Sequence, residues 1–275
     1  MAKLTVIVVT YQRDFRTTPS AAVLLQYAQQ EKINLIVFDN KFVGKKITGI
    51  NVVNIQSSEN LGLAKAYNFA FCQSKKAQSK WLLLLDHDTE VSQDYLERIL
   101  NSAQTMTKAI LPFVVSKNTV VSPLIASKYI SLRDKNIPKP GTYNGELMAI
   151  NSGSVLSVAA MDEIGGFNEK FPLDFLDHWL FWRLNQLKSL NYYLIDEKIG
   201  HDLSVQSPNK MNFDRYIGIL QAEEIYYTEY NRVQKENYVK NLRLRAAKQF
   251  LIMHNRKFWR ATVHQYFTFR RELKK

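Results

Sequence analysis

The sequence predicts an α/β fold built on a mostly parallel sheet, and three observations carry that expectation. Short, uninterrupted apolar runs rich in β-branched residues recur at 4–10, 34–38, 51–55 and 80–85. Runs without alternation belong to strands covered on both faces, as parallel strands are. Stretches of helical character at 19–27 and 64–74 lie among them, and strand–helix alternation with short links is the pattern of crossover units. Three runs also stop at polar clusters: Thr10-Tyr11, Asp39-Asn40 and Asp86-His87-Asp88. Ligands of such sheets bind beyond the carboxyl ends of the strands, so the clusters converge on one expected site.

Each further element has its own signal. Thr18 is placed to cap the first helix, with Pro19 at its first position. The third strand ends before Glu59-Asn60-Leu61-Gly62, which leads into the second helix. Strands are predicted at 109–116 and 119–125 around a turn at Lys117-Asn118, and a loop at 135–145, where two prolines and two glycines fall. Segments 146–150 and 154–157 flank Asn151-Ser152-Gly153, and a short helix leads to Gly165-Gly166-Phe167. A helix is expected at 175–187, a strand at 192–195, a loop at Gly200-His201-Asp202, and helix from Asn212 onward.

Composition narrows the function. The 275 residues are 46% hydrophobic and 23% charged, which excludes disordered and fibrous classes. The single cysteine, Cys72, excludes a disulfide framework or a cysteine zinc site and is expected to be a buried small hydrophobe. No leader-like segment and no apolar run near the roughly 20 residues of a membrane span is found, so a cytoplasmic location is expected. The net charge of +12 is uneven: residues 231–275 hold 13 Lys/Arg against 2 acids, and the rest holds 24 against 23. A neutral body with a basic tail speaks against a nucleic-acid-binding groove. Gly44-Lys45 lacks the surrounding residues of a phosphate loop, and no dinucleotide fingerprint occurs.

Asp86 and Asp88 carry the first chemical signal. Two carboxylates at one strand end repel unless a hard divalent cation, Mn²⁺ or Mg²⁺, neutralises them and leaves positions for a diphosphate. By itself the pair also fits two solvated loop carboxylates. The order Val-Val-Thr10-Tyr11, Asp39-Asn40, Asn60-Leu61-Gly62-Leu63-Ala64, Asp86-x-Asp88, Asn151-Ser152-Gly153 and Gly165-Gly166-Phe167-Asn168-Glu169 resembles family 2 glycosyltransferases of the GT-A fold. Within that family it is most similar to the bacterial rhamnosyltransferase branch. The resemblance spans about residues 4–203 and implies a catalytic domain at 1–205 with a basic helical extension at 206–275.

Roles follow from the resemblance. Thr10 and Tyr11 would border base and ribose, and Asp39 would accept from the pyrimidine imide; otherwise Asp39 is a turn carboxylate. Asn60 and Gly62 would wall the nucleotide or form an ordinary helix-initiating turn, with Arg13, Lys65 and His87 also on the donor side. Asp88 would be the more direct metal ligand, Asp86 would sit nearer the ribose, and His201 would join the metal or serve as an ordinary histidine. Asn151, Ser152, Gly153, Asp174, His178 and Trp179 fall on the acceptor side. Asp177 and Arg183 match the family's acidic helix start while the flanking acids do not, which makes Asp177 the candidate base and Asp174 its rival. Asp177 is also a preferred helix cap. Trp179, Phe181 and Trp182 fit a core stripe better than a sugar wall.

The implied reaction is inverting transfer of a sugar, rhamnose from dTDP-rhamnose, to a lipid-linked or polysaccharide acceptor of a bacterial cell surface. A UDP-sugar donor, a nucleotidyltransferase and a non-catalytic assembly subunit stay open. Basic residues interleaved with aromatics in 231–275 read as a surface for an anionic membrane at the inner face of the plasma membrane, as ordinary packed helices, or as a homodimer interface.

Overall fold

A computed structural model of the chain describes residues 4–102, 104–116, 118–126, 136–200 and 212–273. It divides into two compact units, Met1–Ile125 with Leu132–Asp202, and Ala126–Ser131 with Leu203–Lys275. The first unit runs β1 (Leu4–Tyr11), α1 (Ala21–Gln29), β2 (Ile33–Asn40), β3 (Val52–Ser57), α2 (Gly62–Lys76), β4 (Trp81–Asp86) and α3 (Gln93–Leu100). It continues with β5 (Thr107–Ser116), β6 (Thr119–Ser122), β7 (Leu124–Ile125), β8 (Gly141–Tyr143), β9 (Leu147–Met148), β10 (Val155–Ser157), α4 (Val158–Ile164), α5 (Leu176–Leu184) and β11 (Asn191–Gly200).

The main sheet has the order β3-β2-β1-β4-β10-β5-β11-β8, with β6 on β5. β3, β2, β1 and β4 are mutually parallel, and β11 is parallel to β5. The short strands β10, β8 and β6 run antiparallel, so the sheet is mixed and mostly parallel. β1 is buried through its first seven residues because α1 and its neighbours cover it, which accounts for its unbroken apolar run. Each fully buried aliphatic side chain there contributes about 1.5–3 kcal/mol. The chain leaves β1 toward β2 on one side and is flanked by β4 on the other, which opens a crevice at the carboxyl ends.

Several expectations are corrected. Thr18 does not cap α1: its hydroxyl donates to Phe15 O at 2.7 Å and closes a 3₁₀ turn, and α1 begins at Ala21. The predicted strand 119–125 breaks at Pro123, which has no N–H to pair. β6 then joins β5, while β7 pairs with β9 in a separate ribbon. Part of the predicted loop 135–145 forms β8, an edge strand recruited by β11. β11 runs to Gly200 because an irregularity between Leu194 and Lys198 absorbs its polar residues. The helix expected at 175–187 spans only Leu176–Leu184. Cys72 is exposed: α2 buries Ala66, Tyr67, Ala70 and Phe71, and residue 72 falls outside that stripe.

The second unit comprises α6 (Phe213–Ile225), a π turn, α7 (Lys235–Ile252) and α8 (Arg256–Glu272). Aromatic pairs fill it: Tyr216 with Phe258, Tyr227 stacked on Tyr238, and Phe269 edge-on to Tyr238. Among the described residues, no helix is long and apolar enough to cross a membrane.

Candidate active site

Strand register assembles the site. Thr10 pairs with Asp39 and Tyr11 with Asn40 across β1 and β2, and Val9 pairs with Asp86 across β1 and β4. Asp39 is only 4% exposed. Thr10 Oγ1 donates to its Oδ1 at 2.5 Å and Asn54 Nδ2 to its Oδ2 at 2.8 Å. Asn54 also donates to Val37 O and accepts from Ile47 N, so it ties the 41–50 loop to the same carboxylate. Asp39 is therefore a buried acceptor fixed by two neutral donors, and each oxygen retains a lone pair.

Asn40 extends the arrangement to the second motif, since its Oδ1 accepts from Leu61 N at 2.9 Å. Gly62 has φ +81°, and a Cβ there would lie 2.5 Å from Pro172 O. The close backbone approach expected of this glycine is thus made to Pro172, with Leu63 N donating to the same carbonyl at 2.6 Å. The turn at Asn60-Leu61-Gly62 thereby holds the segment that leads into α5. Asn68 does the same for the following motif, bonding both N and O of Phe167.

At the end of β4, Asp86 accepts from Ser152 through Oδ2 and from Tyr67 through Oδ1, the latter at 3.4 Å. Gly153 N donates to Leu84 O and Leu84 N to Ser154 O, which lace the 151–154 turn onto β4. Ser152 therefore lies beside Asp86, and the side-chain oxygen of buried Asn151 has no hydrogen-bond partner among the described residues. Burial pushes the Tyr67 phenol well above its ordinary value, and the charges of Asp86 and Asp177 add to that.

Asp177 lies in the first turn of α5, not at its cap, which is Phe175 at φ +67°. Its Oδ1 accepts from His178 N at 2.8 Å and faces His178 Nδ1 at 3.0 Å. Burial pushes this carboxyl up, but His178 and the backbone donors outweigh that and hold it below the usual carboxylate value. The His178 ring is stacked on Phe175 at 4.3 Å.

Other predicted residues divide. His87 and Asp88 are half-buried beside Asp86, and Asp174 is half-buried before α5. Tyr11, Asn60 and Lys65 are exposed. Arg13 turns onto the 3₁₀ turn, donating to Thr17 O at 3.2 Å. Trp179 is buried, as the core reading expected, and Trp182 is half-buried. His201 lies outside the described residues. Among those residues no cluster of three or more metal-ligating side chains occurs. Sequence reasoning missed Tyr67 and Asn54, whose roles depend on partners 19 and 15 residues away.

The mixed, mostly parallel sheet thus ends at Thr10, Asp39 and Asp86 on three neighbouring strands, with Asp177 in the first turn of α5. The family model for Glycosyl transferase family 2 matches residues 5–165, more than half of the chain, and the chain belongs to that family. Among solved structures, S. aureus TarS aligns at TM-score 0.50 and 13% identity over 86% of this chain and 42% of that one. TarS 1–349 in complex with UDP aligns at TM-score 0.50 and 12% identity over 99% and 91%. GalNAc-T7 with UDP, GalNAc and Mn²⁺ aligns at TM-score 0.56 and 13% identity over 84% and 49%. The chain thus spans less than half of the first TarS structure and of GalNAc-T7. At these identities the likeness concerns the fold. A search of curated proteins returns no match.

Proposed function

We propose that the chain transfers a sugar, with inversion, from a pyrimidine nucleoside diphosphate donor to an acceptor hydroxyl. The observation that carries this reading is the strand register that sets Thr10, Asp39 and Asp86 side by side at the carboxyl ends of β1, β2 and β4 in a chain of this family. Asp39 accepts from the base imide, oriented by Thr10 and Asn54. Asp86, held by Ser152 and Tyr67, faces the ribose and diphosphate. Asp177 takes the acceptor proton as the hydroxyl oxygen attacks the anomeric carbon and the bond to the diphosphate breaks. Like any carboxylate at or below its ordinary value it is ionised at neutral pH, and His178 occupies one of its oxygens.

Asp86 and Asp88 suit Mg²⁺ or Mn²⁺, because hard cations take carboxylate oxygens together with water and phosphate oxygens. When bound there, such an ion supplies charge neutralisation for the leaving diphosphate. His201 is the proposed additional ligand. The family branch favours dTDP-rhamnose, and UDP stands beside it since thymine and uracil present the same imide; UDP is also the nucleotide in the TarS and GalNAc-T7 complexes. A lipid-linked acceptor in bacterial cell-surface glycan synthesis would place the enzyme peripherally at the inner face of the plasma membrane, with the basic second unit toward it.

The test is thermal stabilisation by dTDP, UDP, GDP and CMP with and without Mn²⁺ or Mg²⁺, repeated on Asp88→Ala, followed by donor hydrolysis. At 100 times Kd a ligand adds about 2.7 kcal/mol. Metal-dependent stabilisation by dTDP or UDP, lost in Asp88→Ala, is expected; stabilisation by none would sink the donor site and leave a non-catalytic subunit. Asp177→Asn is expected to bind nucleotide normally and lose about 10²–10⁴-fold in transfer rate. Full activity in that variant would remove Asp177 from its role.

A further inference from the structure

The outer face and tip of the α7–α8 hairpin do not look like the surface of a helix pair in water. The inward face of α7 is Tyr238, Leu242, Ala246 and Gln249, at helical spacing. Its outward positions carry Leu244 at 61% exposure and Leu251 at 81%, and the tip adds Phe250 at 49% and Ile252 at 64%. Exposed apolar side chains scattered singly are ordinary, but three consecutive ones at a turn form a patch.

Around the tip the hairpin's own charge is of one sign, and an acid beside it is Asp214 of α6, next to Phe213, which packs on Phe258 at 5.4 Å. No Asp or Glu occurs from Asn237 to Arg271, whereas exposed Lys248, Arg256, Lys257 and Arg260 lie within one or two turns of the tip. The tip is also braced. Arg256 donates to Phe250 O and lies 4.5 Å from the Phe250 ring centre, and Trp259 packs on that ring at 5.3 Å. Asn255 caps α8 by accepting from Lys257 N at 3.1 Å. The last turn of α7 thus exposes Phe250, Leu251 and Ile252, with Trp259 and Arg256 on the Phe250 ring and Lys248, Lys257 and Arg260 close in sequence. Exposed apolar side chains among basic and aromatic ones suit an anionic leaflet, with acyl chains beneath charged headgroups.

We propose that the α7–α8 tip inserts Phe250, Leu251 and Ile252 into an anionic lipid leaflet, with Lys248, Arg256, Lys257 and Arg260 on its headgroups. This deepens the membrane-side reading above and rests on it, but it does not depend on donor chemistry. A second copy of the chain would cover the apolar residues but would bring the same basic residues against its own, and like charges in contact oppose association.

The test is co-sedimentation of the full chain with phosphatidylcholine vesicles, with and without about 30% phosphatidylglycerol, near physiological salt. The wild-type chain is expected to partition at least about tenfold better into the anionic vesicles. Leu251→Asp with Ile252→Asp should lower that partition by about tenfold or more while leaving melting temperature and nucleotide-induced stabilisation unchanged. Arg256→Gln with Lys257→Gln should reduce the preference for anionic over neutral vesicles and steepen no other property. Absence of binding to anionic vesicles overturns the proposal, as does equal binding by the double aspartate variant, which would mean adhesion by charge alone. A wild-type dimer in sedimentation velocity that this variant splits would assign the patch to a second copy instead. Because nucleotide stabilisation is measured separately, loss of vesicle binding leaves the donor-site reading standing, and loss of nucleotide binding leaves this one standing.

Discussion

Asp39 in the first unit and Glu223 in the second are both 4% exposed, yet they are stabilised in opposite ways. Glu223 is met by a cation: Arg245 donates to Oε1 at 2.7 Å and to Oε2 at 2.9 Å, and Tyr238 OH adds a bond at 2.8 Å. Among the described residues, Asp39 is met by the neutral donors Thr10 and Asn54. A carboxylate neutralised by a bidentate guanidinium has spent its charge on the fold. One held by neutral donors keeps its charge and spare lone pairs for something that arrives later. The two differ in what meets the carboxylate, which burial alone does not reveal, and the proposed binding role of Asp39 rests on that difference.

The largest expected effect tests the structural side. Glu223→Gln strands the Arg245 guanidinium in the second unit and is expected to cost about 3–5 kcal/mol in chemical denaturation of the full chain. A Glu223→Leu, Arg245→Met double variant should recover most of that loss. If Glu223→Gln proved nearly neutral, the two carboxylates would not differ as argued.

Asp39→Asn sharpens the other side. It preserves shape but trades one carboxylate acceptor for an amide, so folding stability should change little. Affinity for UDP or dTDP should fall by about 1.5–3 kcal/mol, roughly ten- to a hundredfold, in calorimetric titration. Unchanged nucleotide affinity together with a large stability loss would make Asp39 a second Glu223.

The smallest effect concerns a buried cation in the first unit with no carboxylate bonded to it in the manner of Arg245. Lys108 Nζ donates to Leu187 O at 3.2 Å and lies 4.4 Å from the Tyr192 ring centre. Burial, helped by Lys188 and opposed by Glu146, pushes its ammonium down to about 8. The unfolded lysine titrates near 10.4, so between about pH 8 and 10 the unfolded chain binds more protons and stability rises with pH. Denaturation midpoints of wild type relative to Lys108→Met should show that rise, worth about 1–2 kcal/mol. Parallel pH curves would place the Lys108 ammonium in solvent contact.

Much of this was legible in the residues themselves. The four parallel strands β1 to β4 announced themselves because burial on both faces forces unbroken apolar runs, and their polar ends located Asp39 and Asp86. The 107–200 region was harder. β8 has three residues of no particular strand character and exists because β11 offers it an edge. Cys72 misled because a small apolar residue inside a helix carries no sign of which face it occupies until the helix has a partner. Gly62 was visible as a special position, but its neighbour, Pro172, lies 110 residues away in sequence.

By itself, the sequence determined the α/β class, the order of the motifs and the carboxylates at the strand ends, since local periodicity and strand termination are properties of consecutive residues. Only the tertiary structure decided what each carboxylate is bonded to. It set Asn54 and Thr10 on Asp39, Tyr67 and Ser152 on Asp86, His178 on Asp177, and Arg245 on Glu223. Hydrogen-bond partners in most of these pairs come from separate elements, and a side chain's chemistry follows from the donors that packing brings within about 3 Å of it.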